Sequence, residues 1–416
     1  AELIKEGHCF KSRTDTEVIL HGYEEWGIDR LLLRLRGMFA FGLLDTNKHV
    51  LWLIRDHLGI KPLFYISDNN KIIFSSEIHP LYRYITPLPE RINHEALDFY
   101  LAFGYVPPTI SMIRGIEKVP PASGICFSNT GVETRKYWKL EEPKATATHD
   151  FITQEIEDNL NKAVSVRLES DVPIGCFLSG GIDSGLVAAM ASRNSKEPIK
   201  TITVGFRSES MGSDERDLAR LTAKHYQTKH AELLIDDDEA YSLPHLLSHV
   251  GEPFDDPSLQ LTAAVSKAAR KTVKVVLTGD GGDDFWGGYQ RVFATFLGDR
   301  LKGIIGAPAT NLLSHLATYG RSISQIRRAE TVLSRGITSL IDLYAEKDTV
   351  FGWQERSNLY KQCWLGQSQV NGAREIVEQQ ANIYSHLSKA EAYLRLDIGL
   401  KLPGRYLVKT DIASNS

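Results

Sequence analysis

Apolar positions recur along the chain with two different periods, and the change from one to the other divides it. Between Cys9 and Trp138 the period is mostly two. Met38 to Asp45 and His49 to Arg55 are apolar runs flanking a polar turn, which predicts a hairpin, and Phe64 to Ser67 with Lys71 to Ser75 predicts a second. Thr16 to Trp26 instead places Val18, Ile19, Gly22, Tyr23 and Trp26 on one helical face, with Asp15 or Thr14 as its cap. Ala1 to Gly7 reads as the end of a helix capped at Gly7. Antiparallel sheet with short helices is the expectation for this part.

Lys139 to His149 is polar and small, without periodicity, and reads as a linker. Asp150 is then expected to cap a helix whose stripe is Phe151, Ile156, Leu160, Ala163, Val164 and Leu168. From there strands and helices alternate: strands at 174–178, 199–206, 230–235 and 273–277, and helices at 186–191, 214–227, 239–250 and 258–271. Alternation of this kind means βαβ units and a doubly wound parallel sheet, with ligands at the carboxyl ends of its strands. Beyond Arg291 the spacing is helical, over 292–301, 310–319, 323–333 and 375–387.

Candidate chemistry falls at two of those strand ends. Ile174 to Leu178 runs into Ser179-Gly180-Gly181-Ile182-Asp183-Ser184 and then straight into a helix. Glycines let the backbone approach a ligand closely, the serines add hydroxyls, and the first helical N–H groups point to the same place; together these describe an anion site. Asp183 would repel an anion that came without a cation between them. The spacing is not the Walker pattern G-x-x-x-x-G-K-S/T, which the chain lacks. The second stretch is Thr278-Gly-Asp-Gly-Gly-Asp-Asp-Phe-Trp-Gly-Gly-Tyr289, in which Asp280, Asp283 and Asp284 are expected to converge on the mouth of the same site. A calcium loop is disfavoured, because its alternating ligands and closing glutamate are missing.

Composition narrows the partners. The 416 residues are 42% hydrophobic and 24% charged with a net charge of −4, which excludes a strongly basic nucleic-acid groove or membrane-surface patch and favours small-molecule substrates. No apolar run is long enough to span a bilayer and no charged-then-apolar leader is visible. Cys9, Cys126, Cys176 and Cys363 have neither C-x-x-C spacing nor nearby histidine pairs, so neither a zinc site nor a disulfide framework is indicated and a reducing cytoplasm is expected. Cys9 is expected to be a small buried hydrophobe.

These motifs also carry a family resemblance. Ser179 to Ser184 resembles the pyrophosphate loop of the ATP pyrophosphatase superfamily, and Thr278 to Tyr289 is similar to the second signature of the glutamine-dependent asparagine synthetases, S-G-D/E-G-G/S-D-E-L/V-F-G-G-Y. Ser12 to Leu20, Leu35 to Phe41, Arg55 to Tyr65, Ser75 to Glu77, Tyr105 to Pro108, Lys118 to Pro121 and Arg135 to Trp138 resemble the amino-terminal-nucleophile glutaminase domain of the same family. The resemblance implies an incomplete αββα-type glutaminase domain over 1–138, a linker at 139–149 and an ATP pyrophosphatase-type synthetase domain over 150–416 with a helical carboxyl-terminal part. The family's terminal cysteine and its last catalytic lysine lie outside the sequence, so both ends are expected to be cut, the other reading at the amino end being a chain that does not hydrolyse glutamine.

By position, the resemblance assigns Leu178, Ser179, Gly180, Gly181, Asp183, Ser184, Val204, Thr278 and Gly279 to ATP, Asp183 and Asp283 to Mg2+, Asp280 to catalysis and Asp15 to the amino group of glutamine, although Asp15 also reads as a helix cap. Gly185 replaces a serine and would cost one phosphate hydrogen bond. Lys409 and Asp411 could face the substrate or form an exposed helix-end pair. The implied reaction activates a carboxylate, aspartate first among them, as an acyl-AMP with ATP, then aminates it with ammonia from glutamine. Relatives that amidate a sugar acid, a β-lactam precursor or a peptide are the rival enzymes, a non-catalytic regulatory paralogue the rival of another class. Nucleic acid and membrane are not expected partners, and a homodimer is left open.

Overall fold

The computed structural model describes residues 2–68, 71–85, 91–142, 148–206, 215–235, 243–318, 324–360 and 371–415. It divides the chain into two units, one formed by Ala1–Thr86 and Gly115–Pro143, the other by Pro87–Arg114 and Lys144–Ser416.

In the first unit, β1 (Ala40–Asp45), β2 (Val50–Arg55), β3 (Phe64–Asp68), β4 (Lys71–Ser75), β5 (Glu117–Lys118), β6 (Ser123–Ser128) and β7 (Gly131–Lys136) form two antiparallel sheets, ordered β1-β2-β6-β7 and β4-β3-β5. Alternation decides which side each residue of β2 serves. Trp52 and Ile54 meet Ile28 and Leu32 of the helix Asp15–Arg34, while Leu53 between them packs with Leu63, Val119, Ile125 and Phe127 toward the second sheet. The result is helix on sheet on sheet, with the middle strands covered on both faces. The helix is capped by Thr14, whose hydroxyl accepts the Glu17 N–H at 3.4 Å, and is kinked at Gly27, where φ is +71°. Of the two expected caps Thr14 is therefore the one used, and Asp15 is the first helical residue. Cys9 departs from expectation. It is exposed, since the short segment after Gly7 runs along the surface rather than through a core.

In the second unit, β8 (Ile174–Phe177), β9 (Lys200–Phe206), β10 (Lys229–Ile235) and β11 (Val275–Leu277) pair in parallel in the order β10-β9-β8-β11. Cys176, with Leu178 just beyond the strand, packs on one face with Val164, Ala188, Met190 and Ala219. Phe177, Ile202, Val204 and Leu233 pack on the other with Ala269 and Val273. Helices thus cover both faces, as the alternation of elements requires. The first strand, β8, lies between β9 and β11, so the winding reverses between β8 and β11. That is the switch point at which the loops diverge and leave a crevice. The helix before β8 runs His149–Arg167, and its cap is Thr148, accepting the Phe151 N–H at 3.4 Å; the expected cap, Asp150, lies inside the first turn.

The remaining helices, including Gln290–Ile305, Gly372–Ile383 and Lys389–Leu396, build a core around Leu343, Val377, Tyr393, Leu396 and Leu400. The helix His94–Phe103 joins this core through Phe99, Ala102 and Phe103, although it stands in sequence within the first unit's span. Asp98, on its buried face, accepts from Arg356 Nε at 2.8 Å and from the Ala373 N–H at 2.8 Å, and both partners of the ion pair are fully enclosed, at 0% and 1% exposure. Breaking such a pair from one side leaves a buried charge uncompensated, which is why this contact anchors the segment.

Candidate functional site

At the carboxyl end of β8 the chain turns through Ser179 to Gly181 and enters the helix Ile182–Asn194, whose amino end has no side-chain cap. The serines brace the turn. Ser184 Oγ accepts the Ser179 N–H at 3.1 Å and lies 2.9 Å from Ser179 Oγ, which accepts the Gly181 N–H at 3.0 Å. The Gly180 N–H is held by the Glu215 carboxylate at 3.2 Å, so this loop already draws an anion to its backbone. Leu178 contributes no side chain to the opening: it is 2% exposed and packs in the core, with its N–H on the Ile202 carbonyl at 2.9 Å. Val204 is likewise a packed strand residue.

The turn after β11 closes against this loop. A Cβ on Gly279 would stand 2.8 Å from the Ser184 nitrogen and 2.9 Å from Asp183 Cβ, and one on Gly282 would overlap the Asp183 carboxylate. Only glycine allows the approach. It brings Asp283 near Asp183, and burial, reinforced by the Asp283 charge, raises the Asp183 carboxyl above the ordinary carboxylate range. Neither carboxylate has a hydrogen-bond donor or cationic partner among the described residues. Two neighbouring carboxylates with oxygen donors only are a fit for a hard divalent cation such as Mg2+.

The three acids of this turn do not all converge on the opening. Asp280 is the outer one. Its carboxylate accepts from Thr278 Oγ1 at 3.0 Å and Thr410 Oγ1 at 3.4 Å, and Lys409 Nζ lies 3.8 Å away. Lys409 is thus brought to the site, whereas Asp411 accepts from Asn415 on its own helix at 3.1 Å. Asp284 turns inward instead, 1% exposed, because it follows the first turn of the helix Gly282–Trp286 down toward Tyr289, whose hydroxyl donates to it at 3.2 Å. Burial, with the Asp397 carboxylate as the second cause, pushes its pKa up to about 6. Asp397 in turn is held by Arg291 at 2.8 Å and by the Tyr344 hydroxyl at 3.0 Å.

The sign of the pH effect follows from that shift. A carboxyl raised in the folded state supports folding while protonated, fully so below its unfolded value, and the support is lost as pH rises through about 6. Asp284→Asn should therefore raise the melting temperature near neutral and alkaline pH, by on the order of 2 kcal/mol of stability, and change little below about pH 4. Melting curves across that range check it; a pH-independent effect of the substitution would show that Asp284 does not titrate with folding.

In the first unit, Asp15 lines a cleft of about 290 Å3 together with Thr16, Phe39, Phe41 and Lys61. The Arg55-Asp56 pair holds the backbone of two of its lining residues, Phe39 and Lys61. Asp56 is fully buried and accepts the N–H groups of Ile60 at 2.9 Å, Lys61 at 3.0 Å, Leu58 at 3.2 Å and Phe39 at 3.3 Å. Arg55 donates to the carbonyls of Gly59 at 2.7 Å, Lys61 at 2.8 Å and Val119 at 3.0 Å. The Asp15 carboxylate takes the Thr16 N–H at 2.8 Å, which leaves its second oxygen for the cleft.

Comparison with known proteins bears on both units. Residues 155–415 match the asparagine synthase family and residues 1–138 the glutamine amidotransferase domain. The chain is 31% identical over 412 residues to glutamine-hydrolyzing asparagine synthetase 1 of Bacillus subtilis, covering 99% of this chain and 63% of that protein. The chain belongs to the glutamine-hydrolysing asparagine synthetase family. A second Bacillus subtilis member, glutamine-hydrolyzing asparagine synthetase 2, is 33% identical over 330 residues, covering 74% of this chain and 44% of its own length. Amidase chry2 of Gibberella zeae is 30% identical over 324 residues, covering 70% of this chain and 45% of its own. The chain therefore spans between 44% and 63% of the length of these relatives.

Within that family frame, Glu215, Thr410 and the buried Tyr289–Asp284 and Arg291–Asp397 contacts are site features that sequence reasoning missed. Thr410 sits between Lys409 and Asp411, both of which were singled out, and only its helical phase distinguishes it. No helix among the described residues is long and apolar enough to cross a membrane.

Proposed function

We propose that this chain carries out ATP-dependent amide formation of the asparagine-synthetase type: activation of a carboxylate, aspartate in the first instance, as an acyl-AMP, followed by amination with ammonia released from glutamine. The observation that carries the reading is the pair Asp183 and Asp283, set without a cationic partner among the described residues beside the uncapped start of the helix Ile182–Asn194. The triphosphate would lie on the Ser179-to-Ser184 turn, displacing Glu215 from the Gly180 N–H, with Thr278 and Gly279 bordering it. Asp183 and Asp283 would hold Mg2+, which when bound neutralises the phosphate charge.

A substrate carboxylate oxygen then attacks the α-phosphorus, and pyrophosphate leaves with the bonding electrons. Ammonia attacks the acyl carbon, AMP leaves, and the proton that the nitrogen loses needs an acceptor. Asp280 is the carboxylate at the outer edge of the site suited to that role, steadied by Thr278 and Thr410 and facing Lys409. The cleft beside Asp15 is proposed to take glutamine, with the carboxylate meeting its ammonium group. A cytoplasmic setting suits substrates of this kind.

The test is aspartate-dependent exchange of labelled pyrophosphate into ATP, and asparagine formation with ammonium salts as nitrogen donor, using the chain with Mg2+ and ATP. Exchange that requires aspartate supports the reading. Exchange supported by a different acid moves the acceptor while keeping the chemistry, an outcome that similarity to a protein named an amidase makes worth including. No binding of ATP with Mg2+ would remove the proposal altogether.

A further inference from the structure

His8 and His21 are 13 positions apart, the first on the extended segment after Gly7 and the second on the helix Asp15–Arg34, yet their Nδ1 atoms face each other at 3.0 Å. The other nitrogen of each ring is turned to a carboxylate. His8 Nε2 is 3.1 Å from Glu25 Oε2, and His21 Nε2 is 3.5 Å from Glu17 Oε1. A ring nitrogen facing a carboxylate is the one that carries the proton, so on His8 the lone pair is left on Nδ1, whereas His21 has a carboxylate beside each nitrogen, Glu17 at Nε2 and Glu24 at Nδ1. At 3.0 Å the two Nδ1 atoms are joined either by one shared proton or by an electropositive ion in its place. Glu24 Oε2 completes the cluster, 3.4 Å from His21 Nδ1, and the three ligand atoms lie within 4.8 Å of one another.

We propose that His8 Nδ1, His21 Nδ1 and Glu24 form a binding site for a divalent transition-metal ion of the zinc type. A tetrahedral zinc ion with bonds of about 2.0–2.1 Å separates its ligands by about 3.3 Å. The distances of 3.0 and 3.4 Å match two edges of that tetrahedron, and the exposed Glu24 side chain is free to swing in and close the third. Glu25 and Glu17 are the outer carboxylates that orient metal-bound imidazoles. Two imidazole nitrogens and one carboxylate select zinc, cobalt or nickel over magnesium, in contrast to the oxygen-only pair Asp183 and Asp283. The ion does no chemistry here. It ties the segment at His8 to the helix that Asp15 begins, alongside the Lys11 and Ser12 N–H groups that Glu17 accepts at 2.6 Å.

Cobalt(II) is the probe, added to the full chain after treatment with chelator and in excess Mg2+. The expected result is one bound equivalent with the visible ligand-field absorption of a tetrahedral site, displaced by zinc. His8→Ala and His21→Ala should each abolish the absorption, and Glu25→Gln, a surface change that does not depend on refolding the segment, should weaken binding by about 10-fold or more. Asp183→Asn and Cys9→Ser should leave it in place, the latter because Cys9 is an exposed neighbour able to take metal by itself. Circular dichroism shows whether the histidine variants keep their helices; if they do not, the Glu25→Gln affinity decides. No absorption in the unaltered chain means a proton, not a metal, joins the rings, and overturns the proposal. Absorption lost with Cys9→Ser but kept in both histidine variants, or unchanged by Glu25→Gln, overturns it as well.

Discussion

Replacing Asp183 or Asp283 by asparagine is expected to cut Mg2+-dependent pyrophosphate formation by about 10²–10³-fold, the loss of several kcal/mol of charge stabilisation on the phosphates. The structure brings the two carboxylates together: each follows the end of a different strand, and burial, with the Asp283 charge as the second cause, raises the Asp183 carboxyl. Removing either should therefore cost nearly as much as removing both, with non-additivity as the signature of one shared ion. The fold should survive, because in the ion-free protein asparagine relieves repulsion between like charges. The measurement is pyrophosphate exchange at saturating ATP over a Mg2+ titration. Additive losses, or full exchange in both variants, would separate the two acids and end the metal assignment.

Asp280→Asn should slow amide formation by about 10²-fold, the usual contribution of a positioned acid or base, while leaving ATP affinity and the adenylate burst close to unchanged. The asparagine keeps the hydrogen bonds from Thr278 and Thr410 but gives up the charge that faces Lys409 at 3.8 Å. Asp280→Glu keeps the charge on a longer arm and should retain far more activity than the amide. Rapid-quench experiments resolve the burst from the amide step. Loss of the burst would place Asp280 with the metal pair instead, and an asparagine variant of full activity would leave it a turn residue.

The site was readable where its logic is local. Ser179 to Ser184 and Thr278 to Tyr289 announce themselves because a strand, a glycine turn and a helix start follow one another within a few residues, and the parallel sheet places both loops at one edge. Contacts that depend on distant partners could not be read. Asp284 and Asp283 are neighbours with the same side chain, and only Tyr289 and Asp397 decide that one is buried and the other faces out. Lys409 reaches Asp280 across 129 positions, a meeting that no spacing rule encodes. The pairing of His8 with His21 needs the turn at Gly7 and the helix cap at Thr14 to be placed first. Phe99 and Phe103 share one face of a helix, but periodicity is silent on which core receives it.

That last point changes what counts as a module in this protein. A designer who cuts at the polar stretch 139–149 obtains two contiguous pieces, but neither coincides with one of the two compact units. The later piece lacks the helix His94–Phe103, so Arg356 is left in an apolar interior without Asp98 and the floor contributed by Phe99, Phe103 and Tyr105 is open. The earlier piece carries that helix with nothing to cover its apolar side. Exchange of activities between relatives by joining genes at the linker would inherit the same mismatch, unless residues 91–114 travel with the half to which they belong. The sequence order of this chain and the inventory of parts it can be divided into are different things.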